Sequence, residues 1–151
     1  MGEPTPRLPR RVFIAGLTAA LVAGGATALA TLGGLTTATT ESFRFSRGVS
    51  LANGEETRLR GFLATATEDD RIAVVILGHT GTQGEATANI ALSEERAETI
   101  RAIAQSLGID AGRISTGGAG GGTPLPREDG QTARAHETSL ARADVTLQVR
   151  K

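Results

Sequence analysis

An unbroken apolar run at residues 72–77 limits what this chain can fold into more than any other feature of its sequence. All six side chains are aliphatic, which predicts a strand inside a sheet that is covered on at least one side. Gly78 and Gly81 then break the run, and a helix is expected to begin near Ser93, whose hydroxyl would cap it. Polar residues therefore gather where a strand ends and a helix begins, a common position for a ligand.

Two segments that flank this strand have the periodicity of amphipathic helices. The apolar stripe before the strand consists of Leu59, Phe62, Leu63 and Ala66, and the stripe after it consists of Ala97, Ile100, Ile103, Ala104 and Leu107. Asn53 is the expected N-cap of the first helix, with Glu56 completing a capping box. Gly108 fits the carboxyl end of the second helix.

Three further strands are predicted from shorter patterns. Residues 42–47 alternate like an edge strand, residues 113–117 form a short strand, and residues 145–149 form a strand buried on one face. A short helix is expected within residues 131–140. Short connections between these elements predict a two-layer α/β sandwich of order β-α-β-α-β with a C-terminal strand.

Four motifs follow one another around and after the central strand. They are Gly78-His79-Thr80-x-x-x-Gly84, Asn89-x-x-Leu92-Ser93-x-x-Arg96-Ala97, Gly108-Ile109 and Arg113-Ile114. In this order and spacing they resemble the OmpA-like domain family. The resemblance covers residues 42–150 and implies an OmpA-like sandwich that binds peptidoglycan.

The resemblance also implies a ligand site. In this family the loop after the strand and the following helix hold the diaminopimelate of the peptidoglycan stem peptide. An aspartate after Gly-His-Thr binds the ammonium group, and an arginine binds the carboxylate as a bidentate fork. By position Arg96 corresponds to that arginine, Asn89 corresponds to an asparagine that shapes the loop, and Thr80 belongs to the loop itself.

Two positions depart from the family pattern. Gly81 stands where the family has its aspartate, so the ammonium group lacks its expected partner, and Glu85 is considered as a substitute. The Asn-Arg-Arg that precedes the last strand in the family is Leu140-Ala141-Arg142 here. Of these three family residues only the last arginine remains, as Arg142. It is expected to help bind the ligand or to hold the loop in place. The predicted ligand-binding residues are therefore Arg96, Asn89, Thr80, Gly81 and Arg142.

The N-terminal region has the pattern of a membrane or export segment. Residues 1–11 contain three arginines, and residues 12–35 carry no charge and are long enough to cross a bilayer. One interpretation is a single-pass inner-membrane anchor with residues 1–11 in the cytoplasm, residues 36–41 as a linker and residues 42–151 as a periplasmic domain. The alternative is a twin-arginine-like export signal that is cleaved near Ala30. A buried soluble helix is a third interpretation, which the glycines of this segment disfavour.

Composition excludes several classes of function. The charges balance at 16 acidic and 16 basic residues, which argues against a nucleic-acid partner. The absence of cysteine excludes disulfides, thiol catalysis and lipidation on cysteine. With only two histidines and no nucleophile–base pattern around Ser93, we expect neither a metal, nor a cofactor, nor an enzyme.

Two hypotheses about function follow. The first is a non-catalytic periplasmic module that binds the diaminopimelate stem peptide of peptidoglycan. The alternative is a membrane-anchored accessory subunit that uses the same fold to dock onto a membrane protein complex. The match of several motifs in order favours the first hypothesis, whereas Gly81 and the short linker favour the second.

Overall fold

Six strands and three helices make up the part of the chain that the structure describes. The computed structural model describes residues 27–29 and 38–150. In chain order the elements are β1 (Thr27–Leu29), β2 (Ala38–Arg47), β3 (Ser50–Leu51), α1 (Glu55–Glu68), β4 (Ile72–Gly78), α2 (Ala86–Ser106), β5 (Ile114–Gly118), α3 (Ala133–Ser139) and β6 (Arg142–Val149). A 3₁₀ turn, Ala111–Arg113, leads into β5. The predicted β-α-β-α-β order with a C-terminal strand is confirmed.

The strands form one mixed sheet in the order β1-β2-β6-β4-β5, and β3 pairs with the end of β2. β4 pairs in parallel with β5 and antiparallel with β6, so the apolar run lies inside the sheet as predicted. β2 pairs with β6 from Ala38 to Arg44, and among the described residues only the short β1 and β3 also pair with it. The end of β4 therefore lies between the ends of two other strands.

Helices α1 and α2 cover one face of this sheet, which confirms the two-layer sandwich. Alternate residues of β2, β4 and β6 point into the core, among them Phe43, Ile76 and Val145. The predicted helix stripes meet them, because Leu59, Leu63, Ala66, Ala97, Ile100 and Ala104 are completely buried. On the other face Val75 and Leu77 remain 39% and 40% exposed.

Both long helices begin without the predicted side-chain caps. The residue before α1 is Gly54, at φ 81°, so a glycine in the left-handed region makes this turn and the Asn53–Glu56 capping box is wrong. α2 begins at Ala86, so the prediction of a start near Ser93 is also wrong. Ser93 lies inside the helix, where its hydroxyl forms hydrogen bonds with backbone groups.

The N-terminal boundaries differ from the prediction. Residues 38–41, predicted as linker, are the first residues of β2. Of the helix predicted over residues 12–35, only Thr27–Leu29 is described. These residues form β1, because their backbone pairs with β2. Residues 1–26 and 30–37 lie outside the described residues, and within the described part no helix is both long and apolar enough to cross a membrane.

Candidate functional site

The candidate site is built around the place where α2 crosses the ends of β4 and β5. Gly78 and Gly118 are paired there, and a Cβ atom on either one would overlap Ser93. The Ser93 hydroxyl donates to the carbonyl of Ile90 at 2.7 Å and accepts from the amide of Gly120 at 2.9 Å. Ser93 therefore fastens α2 to the loop after β5, which explains why it is neither a helix cap nor an available nucleophile.

Arg96 lies about one turn further along α2 and is only 5% exposed. Its Nε donates to the carbonyl of Gly48 at 2.8 Å, and its Nη1 donates to the carbonyl of His79 at 2.7 Å. The guanidinium also lies over the ring of Phe45, 5.2 Å from the ring centroid. Burial lowers the pKa of Arg96, yet an arginine remains cationic at neutral pH.

This buried cation has no acidic partner among the described residues, since no carboxylate oxygen there lies within 4 Å of Arg96. Backbone carbonyls compensate for part of the lost hydration, but an uncompensated buried charge remains costly. Within the same part of the chain Nη2 of Arg96 makes no hydrogen bond. The arrangement is therefore suited to an incoming carboxylate.

Thr80 and Asn89 hold the shape of the loop between β4 and α2. The amide of Thr80 donates to the carbonyl of Gly120 at 2.9 Å, and its hydroxyl donates to the carbonyl of Gly81 at 3.1 Å. Asn89 donates from Nδ2 to the carbonyl of Gln83 at 3.0 Å. The role that the resemblance implies for Asn89, shaping the loop, agrees with this contact.

A carboxylate does lie beside Gly81, and it belongs to Glu137 of α3. Its Oε2 accepts from the amide of Thr82 at 2.9 Å, and its Oε1 accepts from the Thr82 hydroxyl at 2.5 Å. A Cβ atom on Gly81 would overlap Oε2 of Glu137. The Thr82 hydroxyl is the main cause that lowers the pKa of Glu137, so this side chain is ionised at neutral pH.

Glu85, considered from sequence as the substitute for the missing aspartate, is not the residue found at Gly81. It is the exposed N-cap residue of α2, and its side chain makes no capping hydrogen bond. Glu137 takes that place because α3 packs beside the loop. No signal in the sequence indicated the hydrogen bond between Thr82 and Glu137, which are 55 positions apart in the chain.

Arg142 begins β6 and is 4% exposed. Its Nε lies 3.3 Å from Oδ1 of Asp144, and its Nη2 donates to the carbonyl of Thr123 at 3.4 Å. Its own carbonyl accepts from the amide of His79 at 2.8 Å. Arg142 is thus paired with an acid and supports the loop.

His79 and Asp144 complete this buried group. Nε2 of His79 lies 3.0 Å from Oδ2 of Asp144, and its Nδ1 lies 3.0 Å from the hydroxyl of Thr123. Burial favours a raised pKa for Asp144, but hydrogen bonds with His79 and Ser42 and the charge of Arg142 outweigh it and leave the pKa lowered. In residues 27–29 and 38–150, no cluster of three or more metal-ligating side chains is present.

Comparison with known proteins agrees with this geometry. Residues 47–138, more than half of the chain, match the model of the OmpA family. An Escherichia coli (strain K12) protein described as "Probable lipoprotein YiaD" is 29% identical over 89 residues, which are 59% of this chain. Those residues are 39% of that protein, so the chain spans about two-fifths of its length.

Solved structures share the fold at low sequence identity. The OmpA-like domain of FopA1 from Francisella tularensis has a TM-score of 0.63 at 19% identity, with 83% of this chain and 81% of that chain covered. The peptidoglycan-associated lipoprotein from Burkholderia pseudomallei has a TM-score of 0.60 at 22% identity, with 72% and 89% covered. The periplasmic domain of Helicobacter pylori MotB has a TM-score of 0.61 at 10% identity, with 83% and 88% covered. The family match over more than half of the sequence and the shared fold together establish that this chain belongs to the OmpA family.

Proposed function

We propose that this domain is a non-catalytic peptidoglycan-binding module of the periplasm. Its ligand would be the zwitterionic diaminopimelate end of the stem peptide. The observation that carries the proposal is Arg96, a buried cation with no acidic partner among the described residues. The name of the Burkholderia relative, a peptidoglycan-associated lipoprotein, supports the same class of ligand.

Each site residue would have a different role in binding. Arg96 would receive the ligand carboxylate on Nη2, because its other two donor groups are already held by Gly48 and His79. Thr80 and Asn89 would hold the loop in one conformation through their hydrogen bonds to its backbone carbonyls. Arg142 would act indirectly, since it is paired with Asp144. Binding of this kind needs no cofactor and no chemical step.

We further propose that the chain is exported and cleaved near Ala30. β2 begins at Ala38, so an anchor that ended at residue 35 would leave only residues 36–37 as a linker, about 7 Å at full extension. Such a tether would keep the domain at the membrane surface. A retained anchor at residues 12–35 therefore belongs with the alternative function, docking onto a membrane protein complex.

Co-sedimentation of the full chain with diaminopimelate-type peptidoglycan tests the binding proposal. The native protein is expected in the pellet, and Arg96→Ala is expected to remain in the supernatant because the ligand carboxylate loses the charged donor Nη2. Arg96→Lys keeps a charge and is expected to bind more weakly than the native protein. Arg101→Ala is the matched control, because Arg101 lies on the same helix and pairs with Glu98.

Circular dichroism of each variant distinguishes lost binding from lost folding. If folded Arg96→Ala and Arg96→Lys sediment like the native protein, Arg96 does not carry the binding. If the native protein stays in the supernatant, the wall-binding function is wrong, and co-purification with membrane proteins becomes the next measurement.

A further inference from the structure

Two charged side chains of opposite sign contact residues 79–81 but do not form an ion pair with each other. Arg96 is bound to the carbonyl of His79, and Glu137 lies against Gly81. No salt bridge within 4 Å involves either side chain in the part of the chain that the structure describes. We propose that Glu137 is the anionic half of the ligand site and binds the ammonium group whose neighbouring carboxylate Arg96 binds. This inference rests on the proposed function.

The position of the Glu137 carboxylate supports this role. An ideal Cβ at Gly81 overlaps Oε2, so the carboxylate lies where a side chain from residue 81 would begin. Both donors of Thr82 hold it there, one on each oxygen. The backbone of Gln83 also contributes to the lowered pKa of Glu137. An ionised carboxylate has about four lone-pair sites, so acceptor capacity remains for an ammonium group.

The contacts of the two charged side chains, at loop residues only two positions apart, favour a zwitterion over a simple anion. The Cα atoms of residues 79 and 81 are at most about 7 Å apart, so Arg96 and Glu137 border the same short stretch of loop. They nevertheless do not form an ion pair with each other. Because an amino acid carries its ammonium and carboxylate on one carbon, it matches two neighbouring charges of opposite sign that are still unpaired.

The same contact explains the glycine at position 81. Gly81 is not among the glycines with a positive φ, so its backbone conformation does not require the absence of a side chain. The requirement comes from Glu137, whose carboxylate a Cβ atom would displace. Gly81 and Glu137 thus form a matched pair, in which α3 provides the carboxylate that the loop itself lacks.

Isothermal titration calorimetry of the full chain with meso-diaminopimelate and with pimelate tests this role. Pimelate keeps both carboxylates but has no ammonium group. We expect Glu137→Gln, which keeps an acceptor for the Thr82 amide and offers its NH2 group to the Thr82 hydroxyl, to bind diaminopimelate about tenfold more weakly and pimelate as the native protein does. Arg96→Lys is expected to weaken binding of both compounds. Glu68→Gln, at the exposed end of α1, is the matched control.

A rescue experiment distinguishes ligand contact from a purely structural role. In Glu137→Ala the space beside Gly81 is open, and adding Gly81→Asp returns a carboxylate to it from the loop. The double variant is expected to recover most of the affinity for diaminopimelate that Glu137→Ala loses. Failure of this rescue in a folded double variant would overturn the assignment.

The outcomes separate the two proposals. If Glu137→Gln binds diaminopimelate like the native protein while Arg96→Lys does not, the role of Glu137 is wrong and the binding function stands. If the native protein binds neither compound, the binding function is wrong and the role of Glu137 is wrong with it.

Discussion

Ser93 and Arg96 lie about one turn apart on α2, and both bind backbone groups of neighbouring loops. Ser93 accepts from the amide of Gly120, and Arg96 donates to the carbonyls of Gly48 and His79. Buried polar groups require such partners, and backbone groups left without them would be costly. Two residues of the recognisable motif thus stabilise the fold, and Arg96 has a donor left for a ligand. For this reason each Arg96 variant must be checked for folding.

Asp144→Asn is expected to lower the free energy of unfolding by about 2–4 kcal/mol at pH 7, because buried Arg142 loses its acidic partner. The folded-state pKa of Asp144 is lowered, so its contribution is complete above the unfolded value of about 4. That contribution is lost as the pH falls through the folded value. The difference in the free energy of unfolding between the variant and the native protein should therefore become smaller below about pH 4.

Urea denaturation followed by circular dichroism at pH 7 and pH 3 measures this difference, since the chain has neither tryptophan nor tyrosine. Asp129→Asn, at an exposed position, is the isosteric control. Equal stability of Asp144→Asn and the native protein at pH 7 would contradict the prediction.

Between elements, the contact that positions the site is the approach of α2 to the ends of β4 and β5. Gly78 and Gly118 permit this approach because a Cβ on either would overlap Ser93. Packed interiors have no room for such an atom without movement of the backbone. The distance between the helix and the sheet edge therefore depends on two small residues, and the position of Arg96 depends on that distance.

Gly78→Ala is expected to lower the free energy of unfolding by about 3 kcal/mol or more, because the new methyl group meets the Ser93 carbonyl. Gly61→Ala is the matched control in the interior of α1. No atom lies within 4 Å of its added Cβ, and alanine should stabilise the helix by about 0.5–1 kcal/mol. Urea unfolding of both variants tests the pair, and a stable Gly78→Ala protein would show that α2 can move outward at little cost.

For the molecule as a whole, the position of the core is compatible with the proposed cleavage near Ala30. Among the described residues the buried core extends from Phe43 to Leu147, so all of these core residues follow residue 30. β1 adds three backbone pairs to the start of β2. Removal of residues 1–30 would take away β1 and keep every one of these core residues.

Intact-mass analysis of the native protein from the cell envelope tests the proposed cleavage. We expect a chain that starts near Thr31, because the proposed binding to peptidoglycan requires a domain that is not held at the membrane surface by a two-residue linker. A mass of 15.5 kDa, that of the whole sequence, would instead show that residues 12–35 are retained. That result would favour the anchored subunit that docks onto a membrane complex.

The sequence by itself determined the order of the elements and the buried stripes of α1 and α2, and the motif shared with the OmpA family singled out Arg96. The order and the stripes are readable because burial imposes a local period of two or of about 3.6 residues. Only the tertiary structure decided that Glu137 lies at Gly81, that Ser93 binds the loop after β5 and that residues 38–41 belong to β2. Such contacts join residues far apart in the chain. Their partners depend on how helices and strands pack in three dimensions, which no local pattern records.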